Sequence, residues 1–209
     1  MVNIPDCPKL ALFASHAGSN MRAIVRACQS NRLDAMPAVV ISNNRESGAV
    51  AWAREHGVPV RCMNCRTEGS EEALDAAFES LLTKLGIDLI VLAGYMRKLG
   101  PGTVAKYYGR ILNIHPALLP KFGGQGMYGR NVHAAVLRAG ETESGVTIHL
   151  CDDEYDRGPI VAQSRVAVEI GDTPDSLAAR IQSLEHKFYP ETLQRIIKGD
   201  IKLDQLLKA

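Results

Sequence analysis

Short apolar segments alternate with amphipathic segments along the first 115 residues. Apolar runs, several of them rich in β-branched residues, predict buried strands, while the segments between them repeat apolar positions every three or four residues, as helices do. This alternation predicts an α/β fold with a doubly wound, mostly parallel sheet. The predicted strands are 9–14, 37–42, 58–62, 87–93 and 110–115, and the predicted helices are 21–29, 48–56, 70–85 and 100–108.

The pattern changes after Pro120, where glycines and acidic residues become frequent. The two strands predicted in this part flank an acidic loop, so we expect them to pair antiparallel. A bend is expected at Pro190 in the last helix. No linker, repeat or low-complexity segment is present, which predicts a single domain over residues 1–209. The predicted elements are a loop with four glycines (121–129), a helix (131–139), a strand (145–150), the acidic loop (152–159), a strand (160–170) and a long helix (175–198).

The composition is that of an ordinary globular protein, with 46% hydrophobic residues, 22% charged residues and a net charge of +1. Such a charge gives no reason to expect a nucleic acid or an anionic membrane as a partner. The odd number of cysteines, five, and an N-terminus unlike a signal peptide predict reduced thiols and a cytoplasmic location. Cys62 and Cys65 have a redox or half-zinc spacing, but no second pair accompanies them and no metal site is expected.

The turn Ala17-Gly18-Ser19-Asn20 joins the first predicted strand to the first predicted helix. Backbone N–H groups at a helix N-terminus favour an anion, so Gly18, Ser19 and Asn20 are candidates for binding a phosphate. The loop lacks the glycine spacing of a dinucleotide fingerprint and the lysine of a P-loop. A capped helix start without a ligand would have the same sequence, and that alternative stays open.

Asn113 and His115 stand two residues apart at the end of a predicted strand, immediately before Pro116. Alternate residues of a strand share a face, so the amide and the imidazole point the same way. Together they can stabilise the oxyanion that develops on a carbonyl group under attack. A histidine satisfied within the core is the alternative.

Asp156 precedes Arg157-Gly158-Pro159 and is either a turn residue or a partner that favours the protonated form of His115. His149, in a predicted strand, is expected to support the site or to pack in the core. His16 lies in the candidate phosphate loop, and His133 is expected on the surface of its helix.

No Gly-x-Ser-x-Gly elbow is present, so the sequence offers no covalent nucleophile. What remains is direct acyl transfer between two bound substrates, one of them phosphorylated.

The chain resembles the phosphoribosylglycinamide (GAR) formyltransferases, folate-dependent enzymes of purine synthesis. The resemblance covers almost all of residues 9–198. It is carried by Gly18-Ser19-Asn20, Ile41-Ser42-Asn43, residues 92–97 (LAGYMR), residues 113–120 (NIHPALLP), residues 145–149 (GVTIH), residues 156–159 (DRGP) and residues 185–190 (EHKFYP).

The resemblance implies a Rossmann-like formyltransferase fold and transfer of a formyl group from 10-formyltetrahydrofolate, a co-substrate, to the amino group of GAR. It implies a phosphate-binding half at about 9–110 and a folate-binding half at about 111–200, in a monomer or a homodimer. The implied catalytic residues are Asn113, His115 and Asp156. The implied GAR-binding residues are Gly18, Ser19, Asn20, Met96 and Glu185, and the implied folate-binding residues are Arg97, Leu99, Leu150, Cys151, Asp153 and Asp156.

The chain departs from the family pattern at three places. Glu71 stands where many relatives have an arginine, so Arg66 or another base would have to replace it at the phosphate. The loop at 126–133 differs from the family, and Arg157 replaces a common glycine. The alternatives are a formyltetrahydrofolate deformylase, in which water replaces the amine, and a noncatalytic folate-binding module.

Overall fold

A computed structural model describes Val2 and residues 4–208 of the chain. The described residues form a seven-stranded sheet and eight helices. The strands are β1 (Lys9–Phe13), β2 (Met36–Ser42), β3 (Val60–Cys62), β4 (Leu89–Leu92), β5 (Ile111–His115), β6 (Glu143–Leu150) and β7 (Ile160–Ala167). The helices are α1 (Ser19–Gln29), α2 (Gly48–Glu55), α3 (Cys65–Glu68), α4 (Glu71–Leu85), α5 (Pro101–Lys106), α6 (Arg130–Arg138), α7 (Pro174–Ile197) and α8 (Leu203–Leu206).

The sheet has the order β3-β2-β1-β4-β5-β6-β7. Strands β1 to β5 pair in parallel, whereas β5 with β6 and β6 with β7 pair antiparallel. The predicted fold class is therefore confirmed, including the antiparallel pairing across the acidic loop.

Two hydrophobic cores cover the two faces of the sheet because successive residues of a buried strand point to opposite sides. Leu10 and Leu12 of β1 pack in the core that also receives α1, α2 and α7. Ala11 and Phe13 pack in the core that also receives α4 and α5. The continuous apolar run of β1 thus contributes side chains to both cores.

Several element boundaries differ from the predicted ones. Strand β7 ends at Ala167, because the N–H of Glu169 bonds to the Asp172 carboxylate and starts a turn. Helix α7 continues through Pro190, which lies in its interior. The short helices α3 and α8 were not predicted, since four residues are too few to show helical periodicity. Within the described part of the chain, no helix is both long enough and apolar enough to cross a membrane.

Helix α7 is anchored to the sheet by the fully buried Tyr189. Its hydroxyl donates to the carbonyl oxygen of Leu112 at 2.9 Å and lies 3.3 Å from that of Leu92. These two residues belong to β5 and β4. One helical turn earlier, Glu185 is thereby held at the carboxyl end of the sheet.

Helix α5 begins at Gly100-Pro101 without a side-chain cap of its own, and Asp75 of α4 supplies one. The buried Asp75 carboxylate accepts hydrogen bonds from the N–H groups of Gly102 at 2.8 Å and Thr103 at 3.0 Å, and from the Thr103 hydroxyl. A carboxylate at this position also interacts favourably with the positive end of the helix dipole.

We expect Asp75→Ala to lower the free energy of unfolding by about 2 kcal/mol, because it leaves buried donors without an acceptor. Urea unfolding followed by circular dichroism measures the change. Asp200→Ala, at an exposed position whose side chain caps no helix, is the matched control and should stay within about 0.5 kcal/mol of the parent. Equal stability of the two variants would show that Asp75 does not cap α5.

Candidate active site

A cavity of about 860 Å³ opens at the carboxyl ends of β1, β4 and β5. This is where a doubly wound sheet places its ligands. Its walls come from the loops after these three strands, from the glycine-rich loop 124–129, and from helices α6 and α7. Among the lining residues are His16, Asn20, Met96, Arg97, Asn113, His115, Tyr128, His133, Tyr155, Asp156, Gln182 and Glu185.

Asn113 and His149 face each other across the β5–β6 pair. The Asn113 side-chain nitrogen lies 3.1 Å from His149 Nε2, and His149 Nδ1 lies 2.9 Å from the Leu150 carbonyl oxygen. Since a carbonyl oxygen only accepts, Nδ1 of His149 carries a proton and donates to it. The amide nitrogen of Asn113 carries two hydrogens, and the contact with His149 occupies at most one of them, which leaves the other for a ligand.

His115 is buried at the end of β5 between two oxygen atoms. Its Nε2 donates to the Phe122 carbonyl oxygen at 2.8 Å, and its Nδ1 lies 3.5 Å from Asp156 Oδ2. Burial lowers the pKa of His115, and the charge of Asp156 and the Phe122 hydrogen bond offset this only in part. Asp156 favours the protonated form of His115, as expected, but in the ligand-free protein the cost of desolvating the charged ring is larger.

Asp156 lies between the two histidines. Its Oδ1 is 3.5 Å from His149 Nε2, and its Oδ2 accepts from the Gly124 N–H at 2.9 Å. Burial by itself raises the pKa of Asp156, but bonding to His149, the charge of His115 and the Gly124 N–H outweigh it and hold the pKa below its usual value. A charged carboxylate is thus fixed beside both imidazoles.

The turn before α1 has the conformation that an anion site requires. Gly18 has a φ of 71°, and a Cβ there would lie 2.6 Å from the Cβ of Ala49, so only glycine fits. No side chain caps the start of α1 at Ser19. The alternative of a helix start capped by its own side chain does not apply, and the first N–H groups of α1 remain available to an anion.

Asn20 and Glu185 join α1 to α7 in the cavity wall. The Asn20 amide donates to Glu185 Oε2 at 2.9 Å, while Asn20 Oδ1 is buried without a partner. Burial raises the pKa of Glu185 to about 7, and the Asn20 hydrogen bond offsets only part of the effect. Both side chains thus retain acceptor capacity that hydroxyl groups can satisfy.

The structure brings part of the predicted residue set to the cavity and places the rest behind it. Asn20, Met96, Arg97, Asn113, His115, Asp156 and Glu185 line the cavity. Ser19 lies at its edge, 3.4 Å from the Gln182 side-chain nitrogen. Gly18 supports the turn, and Leu99 and Leu150 are each buried in one of the two cores. The N–H of Cys151 donates to the carbonyl oxygen of Ile111. Asp153 is exposed, and its backbone carbonyl oxygen accepts from the Lys98 side chain.

The position of His133 differs from the one predicted from the sequence. It was expected on the surface but is only 4% exposed and lines the cavity. Val132 and Val136 of α6 are also buried, and His133 lies three residues before Val136, on the edge of the same apolar stripe. That spacing was the signal in the sequence.

Tyr128, Tyr155 and Gln182 are among the other lining residues that were not predicted. Tyr128 and Tyr155 are about half exposed, on the glycine-rich loop and the acidic loop, and Gln182 lies one turn before Glu185 on α7. The only local feature of the sequence that could have indicated Tyr128 and Tyr155 as cavity residues is the presence of an aromatic residue in a glycine-rich or an acidic loop.

This arrangement suits acyl transfer. The Asn113 amide, the buried His115 imidazole and the Asp156 carboxylate line one cavity together with Asn20 at the uncapped start of α1, and an amide with an imidazole can stabilise an oxyanion. Among the described residues, no group of three or more histidine, cysteine or acidic side chains is placed to hold a metal ion. The five cysteines are free, and burial raises the pKa of Cys151, so its thiol stays protonated.

The chain is similar to known proteins over most of its length. The chloroplastic phosphoribosylglycinamide formyltransferase of Arabidopsis thaliana is 41% identical over 199 residues, which cover 95% of this chain and 68% of the relative. The phosphoribosylglycinamide formyltransferase of Escherichia coli is 35% identical over 94% of this chain and 90% of its own. A crystal structure of glycinamide ribonucleotide transformylase 1 from Symbiobacterium toebii has a TM-score of 0.86 at 35% identity, covering 93% of this chain and 89% of that one.

The family model described as formyl transferase matches residues 8–193, which include every strand and all of the cavity wall. The chain therefore belongs to the formyl transferase family.

Proposed function

We propose that the protein transfers a formyl group from 10-formyltetrahydrofolate to the amino group of GAR, as a phosphoribosylglycinamide formyltransferase of purine biosynthesis. The observation that carries the proposal is the shared cavity: the anion-binding start of α1 and the Asn113–His115–Asp156 cluster open into the same space. A volume of about 860 Å³ is in the range of small-molecule sites. Nearly full-length similarity to enzymes with this name supports the choice of substrates.

The two substrates would enter from different sides. The phosphate of GAR would bind the first N–H groups of α1 at Gly18, Ser19 and Asn20, and its ribose hydroxyls would donate to Glu185. The folate would occupy the side lined by Arg97 and the acidic loop, with Met96 at the boundary. This assigns phosphate binding mainly to the half at 9–110 and folate binding mainly to the half at 111–200, while Glu185 on α7 and Arg97 after β4 cross that division.

The reaction would proceed by direct attack. The amine nitrogen of GAR bonds to the formyl carbon, and the carbonyl electron pair moves to oxygen. The free amide hydrogen of Asn113 and the imidazole of His115 stabilise this oxyanion. As negative charge develops, it favours protonation of His115, whose pKa is low in the ligand-free protein.

Collapse of the tetrahedral intermediate breaks the bond from carbon to N10 of the folate. The attacking nitrogen loses a proton and N10 gains one. Asp156 orients His115 and a water molecule that carries the proton between the two nitrogens. The products are formylated GAR and tetrahydrofolate.

The decisive experiment supplies purified protein with 10-formyltetrahydrofolate, with and without GAR, and measures tetrahydrofolate release together with the formylated product. We expect release that depends on GAR and matches product formation one to one. Equal release without GAR would identify a deformylase. Binding of the folate without turnover would identify a noncatalytic module.

Asn113→Ala and His115→Ala should each lower kcat by about 100-fold or more, because each removes an oxyanion donor. Steady-state kinetics with saturating substrates measures the loss. Arg165→Ala, whose exposed side chain pairs with Glu143 far from the cavity, should keep kcat within about twofold. Near-normal kcat in both alanine variants of β5 would remove the roles assigned to them.

Glu185→Gln should change the stability of the protein and its binding of GAR in opposite directions. The pKa of Glu185 is about 7 in the folded protein and is near 4.5 in an unfolded chain, so the folded state holds the proton more tightly between these values. Wild-type stability therefore falls as the pH rises from about 4.5 to 7. Glutamine removes this loss while keeping an acceptor for Asn20.

The Gln variant should be more stable than the wild type at pH 8, by a few kcal/mol at most, with the difference disappearing below pH 4.5. Its KM for GAR should rise because a neutral amide accepts more weakly from hydroxyl groups than a carboxylate does. Calorimetric melting at pH 4 to 8 and GAR titrations measure the two effects. A stability difference that does not change with pH would contradict the shifted pKa.

A further inference from the structure

His133 of α6 is a buried histidine in the cavity wall to which the mechanism above gives no task. It is 4% exposed, and its Nδ1 is buried without a hydrogen-bond partner among the described residues. The ring lines the cavity while Nδ1 is closed off from it, so a ligand in the cavity can meet only Nε2.

The charge state and the tautomer of His133 follow from its surroundings. Burial and the nearby charge of His115 both lower the pKa of His133, so the ring is neutral at physiological pH. A neutral ring has one N–H. A buried N–H without an acceptor costs more than an unpaired lone pair, so the proton belongs on Nε2 rather than on the unpartnered Nδ1.

The position of His133 restricts which part of the substrate it can meet. It lies near His115, which affects its pKa, and α6 packs against α7, which carries Glu185. In the proposed pose, the ribose hydroxyls meet Glu185 and the reacting amine meets Asn113 and His115. The group of GAR between the ribose and the amine is an amide, whose carbonyl oxygen needs a donor.

We propose that His133 is a substrate-contacting residue, whose Nε2–H donates to the amide carbonyl oxygen of GAR. This inference rests on the proposed function and extends it, since it gives the glycinamide group a recognition contact. The contact also fixes the direction in which the neighbouring amine faces the formyl group.

The test compares His133→Leu, which removes both nitrogens, with His133→Gln, whose terminal amide lies near the position of Nε2. The leucine variant should raise the KM for GAR about tenfold and leave the KM for 10-formyltetrahydrofolate within twofold. The glutamine variant should recover most of the affinity for GAR. The melting temperature of both variants is measured. That of His133→Leu should not fall, because within the described part of the chain the His133 side chain makes no hydrogen bond that the substitution could remove.

His186 supplies a matched control. Its Nε2 is also buried without a partner among the described residues, but it does not line the cavity. His186→Leu should leave both KM values unchanged. A rise in the KM for GAR equal to that of His133→Leu would show a general effect of losing a histidine and would overturn the proposal.

Two further results would overturn it. An unchanged KM for GAR in folded His133→Leu excludes the contact, although wild-type formylation of GAR would leave the proposed function standing. Wild-type protein that does not formylate GAR refutes the proposed function, and this inference with it. Should the leucine variant not fold, ¹⁵N-histidine NMR of the wild type decides: GAR must shift the His133 Nε2 signal, and an unshifted signal excludes the contact.

Discussion

The register of β5 between its two neighbours is the constraint on which the site depends. On one side β5 pairs in parallel with β4, which brings Asn113 level with Leu92. On the other side it pairs antiparallel with β6, which places His149 opposite Asn113 and Thr147 opposite His115. A shift of one residue on either side would turn Asn113 and His115 toward the opposite face of the sheet. Parallel pairing thus brings the pair to the ligand edge, and antiparallel pairing gives it a supporting histidine.

Thr147 shows how this register also determines the loop beyond β5. Its hydroxyl donates to the Ala117 carbonyl oxygen at 2.7 Å and accepts from the Leu119 N–H at 3.0 Å. The chain after Pro116 is thereby held against β6, and Phe122 reaches His115 with its carbonyl oxygen. The imidazole is oriented by backbone as well as by Asp156, so its direction does not depend on its own protonation.

Electrostatics in the ligand-free site favours a neutral ring beside a charged carboxylate. Burial keeps the pKa of His115 low, whereas hydrogen bonds and nearby imidazoles keep that of Asp156 low. In the proposed reaction, the developing oxyanion would favour the imidazolium form of His115. Such a site would interact more strongly with the transition state than with the substrates, which is the requirement for catalysis.

Local patterns in the sequence were enough to predict the sheet, its parallel and antiparallel parts, the strand-end pair Asn113 and His115, and the glycine turn before α1. Each depends on neighbours in the chain: apolar periodicity, the two-residue repeat of a strand, or a backbone angle that only glycine adopts without strain. Asp156 was identifiable only through the resemblance, since its local sequence equally describes a turn. Only the tertiary structure placed His149 against Asn113 and Asp156, buried His133, and joined Asn20 to Glu185 across 165 residues. Burial and strand register are properties of contacts distant in sequence, and for that reason the structure, and not the residue types, decided the charge on His115.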